Sequence, residues 1–155
     1  MPEKVAGCSD VERAMPILID GDNLLGTWPG RDRGVAAKRH ISFELARYAR
    51  RIRRRCLTVF DGTAPRGTGF GGETRFSGRR RSADEWILDF LRAEAEPQGW
   101  CVITSDRSLG DRCRHLSARV ERSDLFRKRL RTEPTDEKPE PGVDMDYWLE
   151  QFGED

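Results

Sequence analysis

At 155 residues the chain is long enough for one domain with a real core, and with no apolar run near eighteen residues no membrane span is expected. Its four cysteines, Cys8, Cys56, Cys101 and Cys113, form no CxxC pair and have no histidine at finger spacing, which argues against a structural zinc site. The net charge of +1 conceals an asymmetry: residues 133–155 carry nine acids against one base, a net −8, so the first 132 residues carry +9, mostly as arginine in clusters such as "RYARRIRRR" and "GRRRS". A basic body reads as a surface for polyanions, since arginine matches phosphate bidentately. The blander reading is a solvated arginine-rich face.

Residues 1–14 are polar and lack the apolar core of a secretory signal, so a frayed N-terminus on a soluble, cytoplasmic protein is expected. "MPILID" predicts a first buried strand that runs into Asp20-Gly21-Asp22-Asn23, either an Asx-type turn or the rim of a site. "GTWPGRDRG" is a loop. From Val35 to Arg54, Ile41, Leu45, Tyr48 and Ile52 recur at helical spacing. "CLTVFD" predicts a second buried strand, followed by the Gly-rich loop "GTAPRGTGFGG" and a short strand, "ETRFSG".

"SADEWILDFLRAEAE" predicts a helix with Ser82 as N-cap and Glu85 as its capping-box partner. "WCVITSD" is a third buried strand, "RSLGDRCRHLS" a short helix, "ARVERS" a short strand and "SDLFRKRLR" a last helix. Beyond a charged linker, "VDMDYWLEQFGED" can place Met145, Trp148 and Phe152 on one helical face, an amphipathic segment able to dock. The expected layout is a flexible segment 1–14, one domain over 15–132 and an acidic tail over 133–155.

Strands alternating with helices predict an α/β fold, a mainly parallel sheet flanked by helices on both faces. The runs "ILI", "LTVF" and "CVIT" are apolar at consecutive positions, as strands covered on both sides should be. Three strands end in acid, at Asp20, Asp61 and Asp106, and a parallel sheet binds ligands outside the carboxyl ends of its strands. The helix start "SADE" adds Asp84 and Glu85. Taken singly each acid reads as a turn or cap residue. Together they would repel one another unless cations neutralise them, and oxygen-rich clusters favour Mg²⁺ or Mn²⁺. Metal held beside a basic surface suggests phosphodiester chemistry.

The segments "ILIDGDNLLGTWP", "TVFDG", "FSGRRRSADEWI" and "VITSDRSL" resemble, in order and spacing over about residues 15–130, the NYN family of PIN-like ribonucleases, and within it the YacP branch. The resemblance implies a PIN-like three-layer fold and a metal-dependent endoribonuclease acting on single-stranded RNA, with mRNA in a ribosome-linked setting as one option that the YacP branch adds. It implies a catalytic and metal-binding set of Asp20, Asp61, Asp84 and Asp106, with Asn23 as the asparagine of the D-G-x-N turn. Asp22 takes a position that is often not acidic in the family and is not expected as a ligand. Glu85 is a supporting residue or only the capping partner.

Arg79, Arg80 and Arg81 precede the "SADE" helix and are expected to contact RNA phosphates. Trp28 and Phe70 are offered as bases' stacking partners, against the alternatives of covering the sheet end and packing a loop hinge. Trp86 and Trp100 fit core positions. His40 and His115, the only histidines, lie in no motif. Two rival functions remain. In a haloacid-dehalogenase-like phosphatase, Asp20-Gly21-Asp22 would serve as D-x-D, yet Leu24 stands where Thr or Val is wanted and no Lys occurs between Arg39 and Arg127. The other is a non-catalytic RNA- or ribosome-binding module.

Overall fold

The structure, a computed structural model, describes residues 15–28 and 34–132. The segments 1–14 and 133–155, with the frayed start and the acidic docking tail expected of them, lie outside the described residues.

Five short strands form the middle layer: β1 (Ile17–Asp20), β2 (Cys56–Phe60), β3 (Glu73–Phe76), β4 (Cys101–Ile103) and β5 (Arg119–Glu121). All pair in parallel, in the order β3-β2-β1-β4-β5. β1 and β2 are buried along their whole length, as their unbroken apolar runs predict, while the edge strands β3 and β5 alternate with charge and stay half-exposed.

Side-chain alternation along β1 divides the core. Ile17 and Ile19 point to one face, with Leu24, Leu25, Ile41, Leu45, Tyr48 and Phe126. That face is covered by α1 (Gly21–Leu25), α2 (Val35–Ile52) and α5 (Ser123–Thr132). Leu18 points to the other, with Leu57, Val59, Ile87, Leu91, Val102 and Leu109, under α3 (Ala83–Ala93) and α4 (Arg107–His115). The expected three-layer α/β arrangement is the one found. The chain builds β2 and β3 on one side of β1, then returns to place β4 on the other. The carboxyl ends of β1 and β4 are therefore the switch point at which open parallel sheets form their ligand crevice.

Some elements differ from the sequence reading. The turn expected after β1 is the short helix α1, drawn in because Leu24 and Leu25 are fully buried. Gly21 at its start lies so close to the Phe60 ring that a Cβ would come within 2.5 Å of it, so no larger residue fits. α2 ends at Ile52 because Arg53 turns to the left-handed region (φ 59°). α3 stops at Ala93, short of the expected end, as Glu94 turns extended ahead of a single 3₁₀ turn, Pro97–Gly99. Its capping box is present: Ser82 Oγ accepts from Glu85 N–H and Glu85 Oε1 accepts from Ser82 N–H.

One further link positions the site. Gly62 and Gly78, at φ 90° and 91°, form an isolated antiparallel bridge, with Gly78 N–H donating to Gly62 O at 2.7 Å. Both conformations favour glycine. The bridge brings the exit of β3 back to the exit of β2, and so sets the arginine run and the start of α3 beside Asp61.

Candidate metal centre

Asp20 ends β1 and stands at the N-cap position of α1, yet its side chain makes no cap hydrogen bond. It accepts instead from Thr104, just past β4, whose Oγ1–H donates to Oδ2 at 3.0 Å. Asp20 as a whole is 5% exposed. Burial pushes its pKa up to about 7. The Thr104 hydrogen bond and the nearby Asn23 N–H pull it down, and the charges of Asp84 and Asp22 add to the rise.

Thr104 Oγ1 also accepts from Asp106 N–H at 3.1 Å, so one hydroxyl joins the ends of β1 and β4. Asp106 caps α4, with Oδ1 accepting from Leu109 N–H at 3.1 Å. Asp61 fixes the start of α3, its Oδ1 accepting from Ala83 N–H at 2.6 Å. Asp84 follows in that first turn. Its pKa is raised by burial and then by the charges of Asp106 and Asp61, while Arg112 opposes the rise. The four acids predicted from the sequence therefore share one electrostatic neighbourhood. Asp84 is its hub, since its charge acts on Asp20 and it feels both Asp61 and Asp106.

Asp22 and Asn23 have other tasks. Asp22 Oδ2 accepts from Asp61 N–H at 2.7 Å and Oδ1 lies 3.6 Å from Lys38 Nζ, so this acid buttresses the exit of β2. Asn23 Oδ1 accepts twice, from Ser105 N–H at 2.7 Å and from Ser123 Oγ–H at 2.7 Å, while Ser105 Oγ accepts from Ser123 N–H at 2.9 Å. Asn23 thus clamps α1, the β4–α4 turn and the start of α5 together. Its carbonyl oxygen is fully engaged in these two bonds.

The donor chemistry fits a hard divalent cation: carboxylate oxygens only, with burial raising the pKa of both Asp20 and Asp84, the charge of Asp84 adding to the rise of Asp20 and those of Asp106 and Asp61 to that of Asp84. Among the described residues no three His, Cys, Asp or Glu side chains are drawn into a finished metal cage. A fit of this kind suits Mg²⁺ or Mn²⁺, which bind through one or two carboxylates and keep part of their water shell.

Of the residues offered for RNA, Arg79 and Arg80 are exposed and make no ion pair among the described residues, whereas Arg81 pairs with Asp89 at 2.6 Å and lies over the Trp86 ring. Trp28 is corrected to the core: it is 6% exposed, packs in the cluster containing Leu24 and Ile41, and has Arg127 over its ring, so it covers the sheet end. Phe70 is half-buried against Phe60 and Phe76, with ring centroids 6.5 and 5.2 Å away, which is the hinge packing. Glu85 is occupied by the capping box. Trp100 is buried, but Trp86 is only partly so and stacks on Phe90 at the rim of the core. His40 lies on α2 and His115 ends α4, at the far end from Asp106. Cys56 and Cys113 are buried free thiols, and Cys101 is half-buried.

The sequence reading passed over Thr104, Ser105, Ser123 and Lys38. The first two stand inside the quoted "VITSDRSL", where a hydroxyl next to a strand-end acid was the available signal. Ser123 and Lys38 act across the fold and leave no local trace.

Comparison with known proteins adds three findings. The profile of the YacP-like NYN domain matches residues 17–141. Crystal structures of Rae1 (YacP) from Bacillus subtilis share the fold. A tryptophan-to-leucine mutant is 25% identical, with 76% of each chain covered and a TM-score of 0.63. A second structure is 23% identical, with 76% of this chain and 74% of that one covered and a TM-score of 0.62. No curated protein matches.

Proposed function

The chain belongs to the YacP-like NYN domain family, a family of PIN-like nucleases, and from that premise we propose that it is a metal-dependent endoribonuclease cleaving single-stranded RNA. The observation that supports the reading is that Asp20, Asp61, Asp84 and Asp106 come from three strand ends and one helix start at the same edge of the sheet, where Thr104 joins Asp20 to the Asp106 backbone and Asp61 holds the turn that carries Asp84. Such a cluster is costly without a cation and useful with one.

Asp20, Asp84 and Asp106 would hold Mg²⁺ or Mn²⁺, with Asp61 alongside. Bound there, the ion supplies Lewis acidity, lowering the pKa of water and neutralising charge that develops on phosphate oxygens. The chain's own residues do the rest. Thr104 holds Asp20 in a fixed orientation and Asn23 fixes the turn that carries Thr104 and Asp106. Asp61 fixes the turn that carries Asp84. Arg79 and Arg80 offer guanidinium groups to the RNA backbone beside the start of α3.

A phosphatase would require Asp22 as its second acid, but that side chain is tied to Asp61 N–H and Lys38. A cytoplasmic setting, an mRNA substrate and action on ribosomes are part of the proposal. The test is incubation of unstructured and structured RNA with Mn²⁺ or with EDTA, each with and without ribosomes. Internal cleavage of unstructured RNA that EDTA abolishes supports the reading; RNA left intact in every arm, with affinity for RNA retained, would make the protein a binding module.

A further inference from the structure

Outward from the metal centre the surface opens into a groove of about 570 Å³ that starts at Thr104, Ser105 and Asp106 and that Asp20, Asp61 and Asp84 do not line. One wall is a stripe along α4. Arg107, Gly110, Asp111 and Arg114 are spaced i, i+3, i+4 and i+7, so they share one helical face over about 10 Å. The other wall is the end of β5, with Val120 and Arg122. Arg107 is exposed and makes no ion pair among the described residues. Arg114 lies 3.2 Å from Asp111 and Arg122 lies 2.9 Å from Asp124, but both pairs are largely exposed. Exposed pairs are weak, and each guanidinium keeps further N–H donors for a second anion.

Gly110 lies between the arginines on this face and is itself buried. It sits inside α4, where glycine is destabilising relative to alanine. A Cβ there would meet only ordinary contacts, 3.4 Å from Val120 and 3.7 Å from Arg114, so packing does not demand glycine. Without a side chain it leaves the groove between Arg107 and Arg114 unobstructed.

We infer that this groove between α4 and β5 binds the sugar–phosphate backbone of single-stranded RNA next to the cleavage position, with Arg107 and Arg122 as phosphate contacts and Gly110 as the floor. The inference rests on the nuclease reading, which puts the scissile phosphate at the Asp106 end of the groove. A strand would then cross the acid crevice from Arg79 and Arg80 to the groove.

The test uses the full chain in EDTA and a short, unstructured, fluorescent RNA, with Kd measured across a salt series. Arg107→Glu/Arg122→Glu is compared with Arg50→Glu/Arg53→Glu. The latter pair makes the same change of charge at the end of α2, just before the start of β2 and so at the amino ends of the strands. The groove pair should weaken binding about tenfold beyond the control, and loss of two phosphate contacts should lower the log–log salt slope by about 1.4. Gly110→Gln should weaken binding with no change of charge, and Gly110→Ala checks that α4 tolerates a side chain. Equal Kd and slope in the two arginine pairs would overturn the groove, and tighter RNA binding by the groove pair would assign it to an acidic protein segment instead. Cleavage of the same RNA by the unaltered protein with Mn²⁺ is scored separately. If it cleaves and the groove pair binds like the control, only the groove fails; if it does not cleave and the groove pair still loses affinity, only the nuclease reading fails.

Discussion

Asp20 is a carboxyl that the metal-free protein holds at a cost. Its pKa near 7 lies above the 3.8 of an exposed aspartate. The folded state therefore binds this proton more tightly than the unfolded chain. The stability so contributed is complete below pH 3.8 and is lost as pH rises through 7. At pH 8 the ionised carboxylate costs on the order of 4 kcal/mol. Asp20→Asn should therefore melt higher than the unaltered protein in EDTA at pH 8, with the gap closing towards pH 4, as thermal melts across that range would record. An equal or lower Tm at pH 8 would show that Asp20 carries no such strain. Mn²⁺ must meet the ionised form, so Mn²⁺ affinity in the unaltered protein should climb as pH passes 7. Asn23→Ala makes the complementary case. It strands Ser105 N–H and the buried Ser123 hydroxyl, and loss of 1–3 kcal/mol or about that is expected in urea unfolding. These residues also show what a sequence can disclose. Asp20, Asp61, Asp84 and Asp106 were legible because each ends a strand or starts a helix. The Thr104 bridge and the Asn23 clamp join residues more than eighty positions apart, and no local pattern reports them.

The elements deliver these side chains, and α3 does so through its first turn. The capping box fixes where α3 begins, and Asp61 accepts from the N–H of its first residue. Ser82→Ala should cost about 1 kcal/mol of stability, as loss of an N-cap does. It should also lower cleavage more than a change at the exposed Arg92 near the helix end, because Asp84 loses its placement. Unfolding and cleavage measured on the two variants decide this; equal cleavage by both would separate the cap from the site. Arg79→Ala/Arg80→Ala should weaken RNA of any sequence and flatten the salt dependence, whereas Arg81→Ala should do less, since Asp89 already holds that guanidinium. An unchanged salt slope would return the pair to a solvated role. The capping box of α3 was readable because it is a local motif. α1 was not, because Asp-Gly-Asp-Asn has turn chemistry and only the burial of Leu24 and Leu25 makes it helical. Trp28 was ambiguous for the same reason, as nothing nearby in sequence tells a core indole from an exposed one.

The whole molecule joins an acid crevice at the carboxyl edge of its sheet to a basic body, and charge decides what it attracts. Residues 143–155 add five acids and no base. Removing them should raise RNA affinity at low salt, with the gain shrinking as salt screens the attraction; affinity unchanged at every salt concentration would release the tail from this role. The parallel three-layer sheet was legible in consecutive apolar runs, and its strand order was not, because the crossover from β3 to β4 is a choice among topologies that sequence alone leaves open. That crossover makes the crevice, and the claim that the crevice is a metal-dependent ribonuclease centre is tested most directly by single-turnover cleavage of unstructured RNA across a Mn²⁺ titration, comparing the unaltered protein with Asp20→Asn. Cleavage should rise and saturate with Mn²⁺ in the unaltered protein and fall at least a hundredfold, or about that, in the folded variant, the loss typical of removing a group that stabilises transition-state charge. Cleavage that persists in EDTA, or equal rates in the two proteins, would contradict it.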